Sequence, residues 1–351
     1  MRRLPIYFLI DVSESMVGEP IMQVEEGMAQ IIQALKTDPY AIETVWISVI
    51  VFAGQAKTLV PLQEIITFYP PRFPIGGGTS LSKGLGHLMY EMRKNQVKTT
   101  FDRKGDWKPI VFLFTDGAPT DDTSPAIREW KQNWQTAANM VAISFGEEAN
   151  LHVLQQLTDN VLTFKNTSTQ AYKTFFKWVT DSIKTNSERL DSNKTGFDID
   201  LTKGNGTLSK IDLTKPLQQQ FTTDSNFVIL RGKCQQTKRG YLMKYRRAVE
   251  EAAIYGLDLH RLYYRLVGAF QVDSSYDELS EKNAIPARVN TEELIGFPTC
   301  PCCGNQVAFA ICSCGELHCI GDEEISTCPW CNNVARYGRG DGGIDVQRTQ
   351  G

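Results

Sequence analysis

Two sets of residues in this chain are suited to holding metal, and they lie near its opposite ends. Eight of the nine cysteines fall between Cys300 and Cys331. Near the N-terminus, Asp11-Val-Ser13-Glu-Ser15 sets a carboxylate and two hydroxyls at alternate positions. Thiolates suit Zn2+, whereas carboxylate and hydroxyl oxygens suit a hard cation. The residue types therefore point to two different metals in one chain.

The oxygen set needs a scaffold that ends several strands at one edge, and residues 5–190 supply the pattern for it. Apolar runs at Ile6–Asp11, Val45–Phe52, Ile110–Thr115, Val141–Phe145 and Val161–Phe164 are β-branched and aromatic, and most are continuous. Strands buried on both faces of a parallel sheet read this way. Between them, apolar residues recur at helical spacing over 21–35, with Pro20 in the first turn, and over 80–93. Further helices fit 124–137, 149–157 and 168–187. Alternating strands and helices predict an α/β, doubly wound, mostly parallel sheet of Rossmann-like type. Lys57–Val60, close behind Val45–Ala53, predicts one antiparallel edge strand.

In such a sheet, ligands bind beyond the carboxyl ends of the strands. Asp11, Ser13 and Ser15 follow the first strand. Gly76-Gly-Gly-Thr79-Ser80 precedes a helix, and Thr115-Asp116-Gly117 follows the Ile110–Phe114 strand. With no Cys or His among these residues, Mg2+ is the first choice, with Mn2+ or Ca2+ as substitutes. Asp11 and Asp116 balance the dication, and Ser13, Ser15 and Thr79 are neutral. Too few protein ligands remain for an octahedron, which leaves room for water or for the carboxylate of a partner.

This constellation resembles the metal-ion-dependent adhesion site of von Willebrand factor A (VWA) domains. The resemblance covers about 5–190. It implies that Asp11, Ser13, Ser15, Thr79 and Asp116 are the metal ligands and that the domain binds other proteins.

Cys300-Pro-Cys302-Cys303-Gly and Cys328-Pro-Trp-Cys331 contain two Cys-x-x-Cys knuckles with 24 residues between them. That spacing fits a structural zinc site, which contributes folding energy to a segment too small for a core of its own. Between the knuckles lies Cys312-Ser-Cys314-Gly-Glu-Leu-His318-Cys319. Cys312, Cys314, Cys319 and His318 are candidates for a second Zn2+, with Cys302 as the spare thiol. His318 and Cys319 are adjacent and face opposite ways on an extended chain, so at most one joins the Cys312/Cys314 pair. Pairing could be sequential or cross-braced; the reading favoured here is Cys300, Cys303, Cys328 and Cys331 around one ion. Burial as small apolar side chains is the other reading of Cys312 and Cys319. Cys234 stands apart and reads as a buried or incidental thiol.

This end resembles the C-terminal metal-binding domain of TerY-type proteins, the VWA members encoded with tellurium-resistance genes. The resembling stretch runs from about Asn226 and includes Gly232-Lys-Cys234, Asn290-Thr-Glu-Glu-Leu-Ile-Gly-Phe-Pro and Cys-Pro-Cys-Cys-Gly-Asn. The family implies a bacterial cytoplasmic protein working beside a protein kinase and a PP2C-type phosphatase in stress or phage-defence settings.

The expected organisation is a VWA domain over 1–190, a polar linker or irregular segment over 191–225, a β-rich region over 226–297, and a zinc-ribbon-like Cys-rich module with a flexible tail over 298–351. Within the β-rich region, strands are expected at Phe227–Arg231, Gly240–Tyr245 and Tyr263–Phe270, and a short helix over Val249–Leu259. The net charge of −3 offers no basic field for nucleic acid or an anionic membrane. Nucleic acid is therefore not expected as a partner. The longest apolar run near the N-terminus, Ile6–Ile10, is too short to span a bilayer or serve as an export signal. A cytoplasmic setting with reduced thiols follows as an expectation.

The function expected is a non-enzymatic adaptor whose Mg2+ is completed by an Asp or Glu of a partner protein. The competing reading is a metal-dependent hydrolase or phosphotransferase that uses the same ion. Its best base candidates are Asp121 and Asp122, which follow the third loop.

Overall fold

The computed structural model describes residues 2–102, 104–116, 119–145, 151–164, 177, 179–183, 208–210, 226–254, 257–282, 287–321, 323, 325–338 and 342–349. The chain divides into two compact units. One comprises Met1–Val12, Glu19–Phe73 and Thr79–Gln220; the other comprises Ser13–Gly18, Pro74–Gly78 and Phe221–Gly351.

The first unit is built on a seven-stranded sheet. Its strands are β1 (Leu4–Asp11), β2 (Val45–Phe52), β3 (Ala56–Glu64), β4 (Ile110–Thr115), β5 (Asn139–Phe145), β6 (Val161–Phe164) and β7 (Leu208–Lys210), in the order β3-β2-β1-β4-β5-β6-β7. From β2 to β6 the strands are parallel, and the edge strands β3 and β7 run antiparallel. All eight residues of β1 and all six of β4 are buried, which is why both read as unbroken apolar runs. The chain leaves β1 for β2 on one side and returns to β4 on the other. This reversal opens a crevice at the carboxyl ends of β1 and β4.

The helices of this unit are α1 (Glu19–Leu35), α2 (Pro39–Thr44), α3 (Leu81–Asn95), α4 (Ser124–Asn133) and α5 (Leu151–Gln155). Asp38 caps α2 by accepting the Ala41 N–H at 3.0 Å. α4 is shorter than the expected 124–137, stopping before Trp134. The expected helix over 168–187 lies mostly outside the described residues, of which 177 and 179–183 are helical. Leu85, Leu88 and Met89 of α3 join Ile127 and Trp130 of α4 and Leu9 and Leu113 of the sheet in one core cluster. The approach of α3 to β2 is close: a methyl added at Gly84 would lie 2.8 Å from Cγ of the fully buried Phe52. Gly84→Ala is expected to destabilise the protein by about 1–3 kcal/mol. A lower urea midpoint at unchanged m-value is the readout.

The second unit is β-rich. Its elements are β8 (Phe227–Lys233), β9 (Gly240–Ile254), β10 (Leu257–Gln271), α6 (Tyr276–Leu279), β11 (Ala287–Asn290), β12 (Leu294–Ile295), β13 (Val307–Ile311), β14 (Leu317–Ile320), β15 (Ile325–Thr327), β16 (Val334–Arg336) and β17 (Asp345–Arg348). Six of the strands form a sheet in the order β12-β10-β9-β8-β14-β13, and β11–β17 and β15–β16 form two antiparallel ribbons.

Three expectations are corrected here. Val249–Leu259 is not a helix: its described residues extend β9 and β10, with Ile254 opposite Leu257. An isolated helix of that length is marginal, whereas each residue added to an existing hairpin gains ladder hydrogen bonds. The end of the chain is not wholly a flexible tail either. Asp345–Arg348 pairs with Ala287–Asn290, and Val346 is buried in the core. Leu208–Lys210, inside the expected linker, is the edge strand β7. Among the described residues, no helix is long and apolar enough to cross a membrane.

Candidate metal centres

The oxygen-rich residues lie where the strands of the first sheet end. Asp11 is the last residue of β1 and is fully buried. Its Oδ2 accepts the hydroxyl of Thr115, the last residue of β4, at 2.6 Å. Thr115 thus holds the Asp11 carboxylate in place, a role its position in Thr-Asp-Gly did not reveal. Beyond β1 the chain makes a tight turn over Glu14–Met16, with the Met16 N–H donating to the Ser13 carbonyl at 3.0 Å. The turn brings the Ser13 and Ser15 hydroxyls within 3.0 Å of each other, and both side chains are buried. Ser13 also pairs with Gly76 in a parallel bridge. Thr79, 2% exposed, donates its N–H to the Thr120 hydroxyl at 3.0 Å and accepts the Thr120 N–H at 2.9 Å. Asp116 follows β4 directly and is half-buried; Gly117 lies outside the described residues.

Asp121 and Asp122 have local duties. Asp121 Oδ2 accepts the Ser80 hydroxyl at 2.6 Å, the Ser82 N–H at 3.1 Å and the Ser82 hydroxyl, which caps the start of α3. Asp122 accepts the Ser124 N–H at 3.0 Å at the start of α4. Hydrogen bonds from Ser124 hold its carboxyl below the usual range.

The cysteines form two groups of four: Cys234, Cys300, Cys303 and Cys319 in one, and Cys312, Cys314, Cys328 and Cys331 in the other. This corrects the favoured pairing of Cys300 and Cys303 with Cys328 and Cys331, and it corrects the second set. Cys319 leaves the Cys312/Cys314 pair, and His318 belongs to neither group. The cause is the sheet. β14 lies parallel to β8, with Leu317 opposite Gly232 and His318 opposite Lys233, so Cys319 arrives beside Cys234. Cys312 and Cys314 sit in the turn that joins β13 to β14, at the other end of that strand, and meet the second knuckle there.

The sulfur spacings fit zinc. A tetrahedral ion with Zn–S bonds of about 2.3 Å separates its sulfurs by roughly 3.8 Å. The Sγ separations are 3.7 Å for Cys303–Cys319, 3.9 Å for Cys234–Cys319, 3.7 Å for Cys312–Cys331 and 3.9 Å for Cys314–Cys328. These are far from disulfide length, and all nine thiols are free.

Cys234 was missed because it has no second cysteine nearby, yet its backbone repeats the knuckle. In both Cys-x-x-Cys turns the first Cys donates its N–H five residues on and accepts from the residue four on: Cys300 with Asn305 and Gly304, Cys328 with Asn333 and Asn332. Cys234 does the same with Arg239 and Lys238. The fourth residue after the first Cys has positive φ in all three turns: Gly304 79°, Asn332 60° and Lys238 59°. Thr237 stands where the second Cys would be, and its N–H donates to Cys234 Sγ at 3.3 Å. Burial opposes ionisation of Cys234, but hydrogen bonds from Thr237, Cys303 and Gln236 together outweigh it and bring the thiol to about 7.

His318 is fully buried, with Nδ1 on the Cys319 carbonyl at 3.0 Å and Nε2 on the Tyr337 hydroxyl at 2.8 Å. Both ring nitrogens are engaged, and burial keeps the imidazole below its ordinary value. Cys302 remains the spare thiol; burial and the neighbouring Cys300 push it up to about 12.

Residues 6–178 match the model of the von Willebrand factor type A domain, and residues 224–351 match that of the TerY-C metal binding domain. Among solved structures, proximal thread matrix protein 1 from the mussel byssus is 21% identical over 51% of this chain and 48% of its own, with a TM-score of 0.38. This chain therefore spans about half of that protein. A second structure of the mussel protein, with a zinc-occupied MIDAS motif, is 20% identical over 53% and 46%, with a TM-score of 0.38. BatB from Bacteroides thetaiotaomicron is 12% identical over 52% of this chain and 99% of its own, with a TM-score of 0.36. No curated protein matches the chain.

Proposed function

The chain belongs to the TerY-type proteins, which join a von Willebrand factor type A domain to a TerY-C metal binding domain, and from that premise we propose that it is a metal-dependent binding adaptor. In this reading Asp11, Ser13, Ser15, Thr79 and Asp116 hold one Mg2+, and an Asp or Glu of a partner protein completes its coordination. The observation that carries the reading is the buried oxygen cluster at the carboxyl end of β1. There the Asp11 carboxylate is anchored by Thr115 and the Ser13 and Ser15 hydroxyls lie together. A carboxylate shielded from water in this way favours a cation as its companion.

The two cysteine tetrads hold one Zn2+ each in this reading and serve as structural sites, because each offers four protein ligands and no open position. Backbone N–H groups of Gln235 and Trp330 donate to Cys319 and Cys328 sulfur at 3.2 and 3.4 Å, which supports thiolates at those positions. Family resemblance supplies the working context: the cytoplasm, beside a protein kinase and a PP2C-type phosphatase, in tellurite, stress or phage-defence systems. Asp121 and Asp122, the carboxylates that would serve a hydrolase, are occupied as helix caps.

The test is capture from a lysate of the native host with the immobilised full chain. Wild type with Mg2+ is expected to retain partners that are lost when Mg2+ is withheld or in Asp116→Ala, with the zinc content the same throughout. Undiminished capture by Asp11→Ala and Asp116→Ala without added Mg2+ would sink the reading.

A further inference from the structure

The second compact unit contains more than the C-terminal sheet. It takes in Ser13–Gly18 and Pro74–Gly78, the two loops that carry or adjoin the hydroxyl ligands. Val17 packs in one buried cluster with Ile229, Leu242, Val272 and Tyr276, and Ile75 packs against it. Gly18 adopts φ of +90°, and a methyl there would lie 2.8 Å from the Phe270 ring. The Gly77 N–H donates to the Ser280 hydroxyl at 2.8 Å, and the Gly77 carbonyl accepts the Glu281 N–H at 2.9 Å.

Two side chains act on the Ser13–Ser15 turn itself. Lys244, in β9, is 3% exposed. Its Nζ donates to the Ser15 carbonyl and to the Val17 carbonyl, the latter at 3.2 Å, and stands 4.5 Å from the centre of the Phe227 ring. Tyr276, 4% exposed, donates its hydroxyl to the carboxylate of Glu14, the residue between the two serines. An ammonium withdrawn from water is costly and persists only where polar groups receive it. Here the backbone carbonyl of a candidate metal ligand accepts its hydrogen bond. Aiming the Ser15 carbonyl at Nζ fixes the peptide planes on either side, and with them the direction in which the Ser15 side chain leaves the backbone.

We infer that Lys244 and Tyr276 are positioning residues of the adhesion-type site, which hold the Ser13–Ser15 turn in its cation-binding shape and so raise its cation affinity. The inference rests on the proposed reading that this turn holds Mg2+. A turn already fixed loses less conformational freedom when the ion binds. By linkage, whatever loosens that turn weakens Mg2+, and Mg2+ in turn steadies the turn.

Lys244 has two opposed effects. Its hydrogen bonds favour the binding shape, while its charge opposes a nearby cation. Lys244→Gln keeps a donor for the carbonyls without the charge, and Lys244→Met removes both. Mg2+ affinity is to be measured by titration calorimetry on the zinc-loaded full chain at constant ionic strength. Lys244→Met and Tyr276→Phe are expected to weaken Mg2+ about tenfold, the lower end of what supporting residues around a metal contribute. Lys244→Gln is expected to recover most of that loss. Tyr245→Phe, which removes a hydrogen bond to the Gly296 carbonyl elsewhere in the same sheet, serves as the control and is expected to bind as wild type does. Zinc content is expected to stay the same in all four variants. If Lys244→Met and Tyr276→Phe bind Mg2+ as wild type does or more tightly, the positioning role is overturned while the metal site stands. If wild type itself binds no Mg2+, the metal reading fails and this inference falls with it.

Discussion

Cys234→Ser is expected to cost the protein one of the two zinc ions proposed for its cysteine tetrads, whereas Cys302→Ser leaves both in place. The two cysteines look alike in composition and opposite in setting. Cys234 lies 3.9 Å from Cys319 sulfur and shares a tetrad with Cys300 and Cys303. Cys302 belongs to neither tetrad, and its thiol faces the Gly240 carbonyl at 4.0 Å. A structural zinc site contributes about 10–16 kcal/mol of binding free energy, most of it available to folding. That matches or exceeds the whole stability of a typical domain, about 5–15 kcal/mol. Loss of the Cys234 tetrad is therefore expected to loosen the second unit as well as to empty a site. Elemental analysis gives the zinc-to-protein ratio, and loss of near-ultraviolet circular dichroism reports the loosening. The pairing of Cys300 and Cys303 with Cys328 and Cys331 makes the contrary forecast, in which Cys234→Ser keeps its full zinc content. That result would dismantle the tetrads described here.

The second large effect separates charge from hydroxyl at the oxygen site. Asp11→Ala is expected to abolish Mg2+ binding in the millimolar range, while Ser15→Ala weakens it about tenfold or less. A unit charge about 4 Å from another is worth about 4 kcal/mol per charge product at an effective dielectric constant of 20, roughly three orders of magnitude in affinity. A neutral hydroxyl contributes about 1 kcal/mol net, less than one order. Because Asp11 is fully buried, replacing it relieves the cost of a desolvated carboxylate, so the fold is expected to survive the change. Calorimetric titration with Mg2+ beside a thermal melt reads the two quantities separately. Equal losses from Asp11→Ala and Ser15→Ala would contradict a site governed by charge.

The first sheet was legible from the residues because its strands are short, continuous and buried on both faces. Such strands leave an unbroken apolar run, and β1, β2 and β4 were placed by it within a few residues. Asp11, Ser13, Ser15 and Asp116 stand out as candidates for a related reason: they follow strand ends, where an open parallel sheet collects its ligands, whereas Thr79 precedes a helix. Thr115 is part of the Thr-Asp-Gly motif, but its bond to Asp11 joins residues 104 positions apart. The long β9–β10 hairpin was harder to read. Local pattern at Val249–Leu259 suited a helix, and cross-strand pairing overrode it.

The cysteine region divides in the same way. A knuckle is a local turn, so Cys300/Cys303 and Cys328/Cys331 could be recognised from spacing alone. That the chain carries enough Cys and His ligands for two tetrahedral ions could also be read from residue counts, with His318 taken as the eighth ligand in place of Cys234. Which turns face each other depends on β14 docking beside β8, across 85 positions between Cys234 and Cys319. That docking draws Cys234 into a site, turns His318 toward Tyr337 and leaves Cys302 aside. Residue types establish which metals the chain can hold, because ligand chemistry belongs to the side chain. The grouping of ligands around each ion belongs to the folded sheet, because strand pairing between distant segments follows from burial and backbone hydrogen bonding across the whole unit and leaves no periodic mark in the order of residues.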